Sequence, residues 1–236
     1  GGAYYSGFEN AVADARQLTD ENADTNEKNA VAQLYIEGDT AYLTLFEDVS
    51  GCSDIALTAN TVLNLNGKTL TFSAGSGLTF SADVCVENGT LSAVNRSVIE
   101  AQNDGEAHRA VFRSLTLSET VTPDLSAECR ILSLKAENAT LTDTEIMLNC
   151  NGLGRLQGTE FGGTSTITGL RVTVESDDTG TWGVRTLQGS KTVLNAAEIY
   201  AATANADHGL GMVLNGRATV NSTEALPVTC FGKRQG

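Results

Sequence analysis

Short apolar stretches separated by polar turns run through most of the chain, and in the C-terminal half they recur at a fixed step. Leu115, Leu141, Ile167 and Val193 stand 26 residues apart, and Val220 follows after 27. Arg130-Ile131, Leu156-Gln157, Trp182-Gly183 and His208-Gly209 fall at the same step of 26, so the register holds across the repeat. In the N-terminal half the step shortens: Val62 to Val84, Leu63 to Cys85 and Asn66-Gly67 to Asn88-Gly89 are each 22 apart. A repeat of this length holds two or three short strands, which cannot bury their own apolar face and must stack on their neighbours. The periodicity therefore predicts an all-β solenoid with coils of 22 to 27 residues.

One coil gives the expected pattern. Residues 183–187 alternate as a strand, 188–190 turn, 191–194 form a second strand, Asn195 takes a left-handed bend, and 196–201 form a third. The next coil repeats the pattern with Asn221 at the bend, 26 residues on. Asparagines at equivalent bends stack into a hydrogen-bonded ladder along the axis, which is architecture and not a site. Ahead of the solenoid, Phe8, Ala11, Val12, Ala15 and Leu18 follow helical spacing, so residues 7–18 are expected to form a short amphipathic helix that caps the first coil. Residues 19–29 read as a polar loop. The expected division is an N-terminal cap over 1–39, the helix proper over 40–228, and a tail over 229–236.

Composition narrows the function classes. The chain has 236 residues, with 15 Lys+Arg against 29 Asp+Glu, a formal charge of −14. Such a surface repels phosphate backbones and anionic membranes, so nucleic acid is not an expected partner. No apolar run reaches the ~20 residues of a membrane helix, and no membrane insertion is expected. Threonine, asparagine and glycine (29, 17 and 24 residues) favour strands broken by tight turns over a helical bundle. Five cysteines without a C-x-x-C pair point to scattered buried thiols, not to a disulfide framework or a zinc site.

Residues 40–72, TAYLTLFEDVSGCSDIALTANTVLNLNGKTLTF, carry a strand ending in L-x-x-D-V followed by V-L-N-L-N-G-K-T-L. This segment resembles the opening coil of right-handed parallel β-helix proteins of the pectin-lyase-like fold, and more closely the adhesin-like surface proteins of gut bacteria that carry it. The resemblance extends over roughly 40–228. It implies a right-handed, single-stranded parallel β-helix, secreted or held at the bacterial cell surface, working as a monomer with a polysaccharide or a host surface protein as partner. It specifies function weakly, because the scaffold also serves lyases, hydrolases and tailspikes.

The resemblance directs attention to the loops and strands where enzymes of this fold place their sites. Here that surface carries Asp177-Asp178, then Trp182 and Arg185, then Asp207-His208-Gly209. Hydrolases of the fold pair an Asp-Asp with a Gly-His-Gly about one coil on. In this chain His208 follows Asp207 instead of glycine, and at a step of 26 the position beneath it holds Trp182. Lyases of the fold gather acidic residues around Ca²⁺ beside a basic residue. Asp177 and Asp178 are the candidate calcium ligands, and no other cofactor is expected. Glu160 is read as inward, aligned with Thr186 at a step of 26, and the outward positions at the Arg185 register (Ser133, Thr159 and Gly211) hold no carboxylate. Trp182, the sole tryptophan, offers a flat face to a pyranose, and with Arg185, Asp207 and His208 it forms the candidate ligand-binding group. The expected function is a non-catalytic, adhesin-like binding module. The alternative is a divergent carbohydrate-active enzyme, a polysaccharide lyase or glycoside hydrolase, with its groove around 177–209.

Overall fold

In a computed structural model the chain folds as a parallel β-helix with one short α-helix near its N-terminus. The structure describes residues 2–102, 104, 106, 108–121, 129–134, 138–150, 156–176, 181–203, 209–222, 224 and 228–233. Among the described residues a larger sheet of 13 strands and a smaller one of seven run along the helix axis, and nearly all neighbouring strands pair in parallel. The smaller sheet stacks Ile55–Leu57, Leu78–Phe80, Ile99–Ala101, Cys129–Leu134, Leu156–Phe161, Thr181–Thr186 and Gly209–Leu214.

The long strands of the larger sheet, such as Thr164–Ser176 and Lys191–Thr203, are bent once near their middle, which gives the helix a third face. The bend falls on Asn88 and Ser114 in one pair of adjacent coils and on Gly169 and Ala196 in another, all at positive φ (61°, 47°, 69° and 50°). The left-handed residue is thus Ala196, one later than the expected Asn195. Asn195 sits just before the corner and builds the ladder. Its Nδ2 donates to Thr168 Oγ1 at 3.3 Å, and its Oδ1 accepts from Asn221 Nδ2 at 2.8 Å. The same rank continues back through Arg113, Glu87 and Asn64, so one polar column follows the corner along the helix.

Inward positions form apolar columns. One runs Leu43, Leu63, Val86, Phe112 and, past the strand Asn138–Cys150, Ile167 and Leu194, and a second runs Leu70, Leu91, Leu117 and, past the same strand, Val172 and Ile199. The expected pairs Leu115–Leu141 and Ile167–Val193 are therefore not in register: Leu141 lies beside Phe112, and Ile167 beside Leu194. In the N-terminal coils Leu63 lies beside Val86, a step of 23 and not 22. A third core column holds a charge-bearing residue, Glu119, between Ala93 and Leu148, with Val174 and Ala201 beyond. Glu119 is 1% exposed and neither carboxyl oxygen makes a hydrogen bond of good geometry. Burial pushes its pKa up to about 9, and the Arg96 backbone amide offsets only part of that. The group is therefore a neutral acid at pH 7.

The cap is more elaborate than an amphipathic helix. The helix Phe8–Gln17 buries Phe8, Ala11, Val12 and Ala15 as its spacing predicts, and Leu18 closes it in the left-handed conformation at φ 52°. Asp14 is buried on the same face. It accepts hydrogen bonds from Tyr5 Oη at 2.8 Å, from the Asn22 backbone N–H at 2.8 Å and from Asn22 Nδ2. Asp24 accepts from the Ser6 backbone N–H and hydroxyl, at 2.8 and 2.6 Å, and this holds its carboxyl below the usual range. The polar loop thus locks Ala3–Tyr5 in place, where it pairs antiparallel with Ala32–Glu37, itself antiparallel to Thr40–Leu45. An antiparallel lid of this kind ends the parallel stack and covers its edge. Cys52 and Cys85 are buried free thiols, as expected, but Cys230 is exposed.

Candidate functional site

The outward face of the smaller sheet follows from two close backbone approaches. A Cβ on Gly183 would come within 2.5 Å of Ile199 Cγ2, and one on Gly158 within 2.9 Å of Val174 Cγ2. Both glycines therefore face the core, and so do the buried Thr159 and Val184 that follow them. Two inward residues in a row break the alternation, and this brings Trp182 to the same side as Arg185. The Arg185 guanidinium carbon lies 5.4 Å from the indole centroid, within cation–π range.

The step between coils decides what lies beneath Arg185. Gln157 pairs with Trp182 and Glu160 with Arg185, a step of 25 and not 26. One residue of offset moves a side chain to the opposite face, so Glu160 is outward, beside Arg185, where a step of 26 would align it with the inward Thr186. An Nη of Arg185 stands 3.5 Å from Glu160 Oε2. The carboxylate is 1% exposed beneath the guanidinium, whose own side chain is about one-third exposed. The residues in register with Arg185 are Ala56, Thr79, Glu100, Ser133, Glu160 and Val213, so this rank holds two carboxylates where the sequence suggested none. The indole Nε1 and the Arg185 Nε are both shielded from water without a hydrogen-bond partner.

The next step is 28: Trp182 pairs with Leu210 and Thr181 with Gly209. The expected stacking of His208 on Trp182 at a step of 26 is therefore not the register of these coils. Asp177, Asp178, Asp207 and His208 themselves lie outside the described residues, and so does the calcium site assigned to the first two. Among the described residues no group of three His, Cys, Asp or Glu is placed to hold a metal ion, and no helix is long and apolar enough to cross a membrane.

A second surface went unnoticed in the sequence. On the outer face of the larger sheet, an open groove of about 470 Å³ is lined by Thr40, Asn60, Asp83, Cys85, Arg109 and Arg113 among others. Arg113 makes an ion pair with Glu87 at 3.2 Å and donates to Cys85 Sγ, also at 3.2 Å. The Cys85 thiol is nonetheless raised above its ordinary pKa, because burial outweighs the nearby guanidinium. It is 8% exposed and a poor nucleophile at neutral pH. The alternation of residues 40–44, 60–64 and 109–113 signals these outward positions, but their alignment needed steps of 20, 23 and 26.

Compared with known families, curated proteins and solved structures, the chain matches no family model, no curated protein and no solved structure.

Proposed function

We propose that this protein is a non-catalytic binding module, adhesin-like and displayed outside the cell, which offers a rigid β-helix face to a glycan. The observation that carries this reading is the seating of Trp182. A partly exposed indole is held by a guanidinium, and the guanidinium is anchored by a carboxylate buried in the preceding coil. Both supports sit on sheet strands, so the aromatic face is set before a ligand arrives and little ordering is left for binding to pay for. An indole presented in this way stacks on the apolar face of a pyranose, and Arg185 beside it can donate to ring hydroxyls or a carboxylate.

The same arrangement argues against chemistry at this spot. Glu160 lies under Arg185 and is engaged by it, so it is not presented as an acid or base, and Glu100 stands two coils away. The resemblance to surface proteins supports an extracellular setting, and the charge of −14 favours partners other than polyanions.

The test is a glycan-array screen of the purified protein with and without Ca²⁺, comparing wild type with Trp182→Ala. Binding to a defined sugar that disappears in the variant is the expected result, and calcium dependence that is lost in Asp177→Asn/Asp178→Asn would assign a metal to that pair. Silence across the array, or binding indifferent to the tryptophan, overturns the reading for this face.

A further inference from the structure

The groove on the larger sheet has a floor and polar flanks, and two tyrosines outside its lining continue the floor's column. Its floor is one outward column, Val62, Cys85, Val111 and Thr140, in which each residue lies beside the next. The column begins at Tyr42, which pairs with Val62 on one side and with Tyr35 on the other. The two tyrosine rings are 5.9 Å apart at 43° and are 36% and 44% exposed. Strands lie ~4.8 Å apart, so the strip from Tyr35 to Val111 is about 19 Å long, enough for several hexose units end to end.

Polar rails flank it. Thr40, Asn60, Asp83 and Arg109 form one, tied along the axis: the Asp83 backbone N–H donates to Asn60 Oδ1 at 3.2 Å and the Arg109 N–H to Asp83 Oδ1 at 2.7 Å. Asn64, Glu87 and Arg113 form the other, fixed by the Glu87–Arg113 ion pair. The rails offer fixed donors and acceptors on both sides, and Asp83, Glu87 and Asp39, which accepts from Asn60 Nδ2, stand against Arg109 and Arg113, so charges of both signs nearly balance here on a strongly acidic chain. A polyanion would meet the overall charge, and a polycation would meet the two arginines. An uncharged chain of sugars meets neither: its ring faces suit an aromatic and aliphatic floor, and its hydroxyls suit rails of mixed donors and acceptors.

We propose that this groove binds a neutral oligosaccharide lying along the helix axis, with its leading rings on Tyr42 and Tyr35 and the rest over Val62, Cys85 and Val111. The site shares no residue with the Trp182 platform, so either can fail without the other.

The experiment is calorimetric titration of the intact protein with neutral hexasaccharides of glucose, mannose and xylose, and with an oligogalacturonide as the acidic counterpart. At least one neutral series is expected to bind. Tyr42→Ala should weaken it about tenfold, from lost stacking. Tyr42→Phe should preserve it, Val111→Lys should abolish it by filling the groove, and Trp182→Ala should leave it unchanged. Thermal melts of the variants identify any that fail to fold, and the two groove substitutions act at separate points. The proposal is overturned if no neutral saccharide binds at millimolar concentration, if only the oligogalacturonide binds, or if binding survives in folded Tyr42→Ala and Val111→Lys.

Discussion

Replacing Glu119 by glutamine should stabilise this protein at neutral pH and remove most of one pH dependence. The carboxyl is buried in a core column beside Ala93, without a hydrogen bond of good geometry, and its pKa is pushed from 4.5 up to about 9. Between those values the folded chain keeps a proton that the unfolded chain has released. The stability held below pH 4.5 is therefore lost as pH rises towards 9, by ~1.4 kcal/mol per pH unit. At pH 7 the loss amounts to roughly 3 kcal/mol. Glutamine keeps the shape and the cost of a buried polar group but carries no titrating proton. The assay is urea unfolding of wild type and Glu119→Gln at several pH values from 4 to 8. Other carboxylates contribute equally to both proteins, so the difference between the two is the quantity to read. It should be near zero at pH 4 and grow to about 3 kcal/mol in favour of the variant at pH 7. Stability curves that stay parallel across this range would refute the reasoning.

Two other substitutions probe the cap and the backbone beneath the platform. Asp14→Ala should strand the Tyr5 hydroxyl and the Asn22 N–H groups and cost about 2–4 kcal/mol, read as a lower urea midpoint; Asp14→Asn should recover part of it. Gly183→Ala should cost about 1–3 kcal/mol, because the new methyl meets Ile199 at 2.5 Å and the Gly211 carbonyl oxygen at 2.9 Å, and it should also shift the tryptophan emission.

The parallel β-helix was legible in the sequence because burial repeats once per coil, whatever the precise alignment. The strand–turn–strand plan of residues 183–201 and the helix beneath the first coil could be read for the same reason. What could not be read was register. Over its last four strands the steps in the smaller sheet are 27, 25 and 28, because turn lengths vary between coils, whereas matching like residues at 26 aligns faces without fixing rungs. That difference hid Glu160 from Arg185, since an offset of a single residue reverses a side chain. The glycines that break the alternation beneath Trp182 act through contacts with Ile199 and Val174, which lie in the next strand of the fold and not in the local pattern. Tyr35 and Tyr42 meet through an antiparallel hairpin that ends the parallel stack, an arrangement the coil repeat does not encode. Glu119 could have been noticed, because it shares the alternation phase of Leu115 and Leu117. Its burial follows from that phase alone.

The central claim is that a step of 25 places Glu160 beside Arg185 and thereby sets Trp182. A double-mutant cycle tests it most directly: Glu160→Gln, Arg185→Gln and the double variant, with unfolding followed through the sole tryptophan. The pair is buried on the carboxylate side and part-exposed on the other, so the account predicts a coupling of about 1–2 kcal/mol and altered indole emission in each single variant. Additive effects, with emission unchanged when Glu160 is replaced, would contradict it.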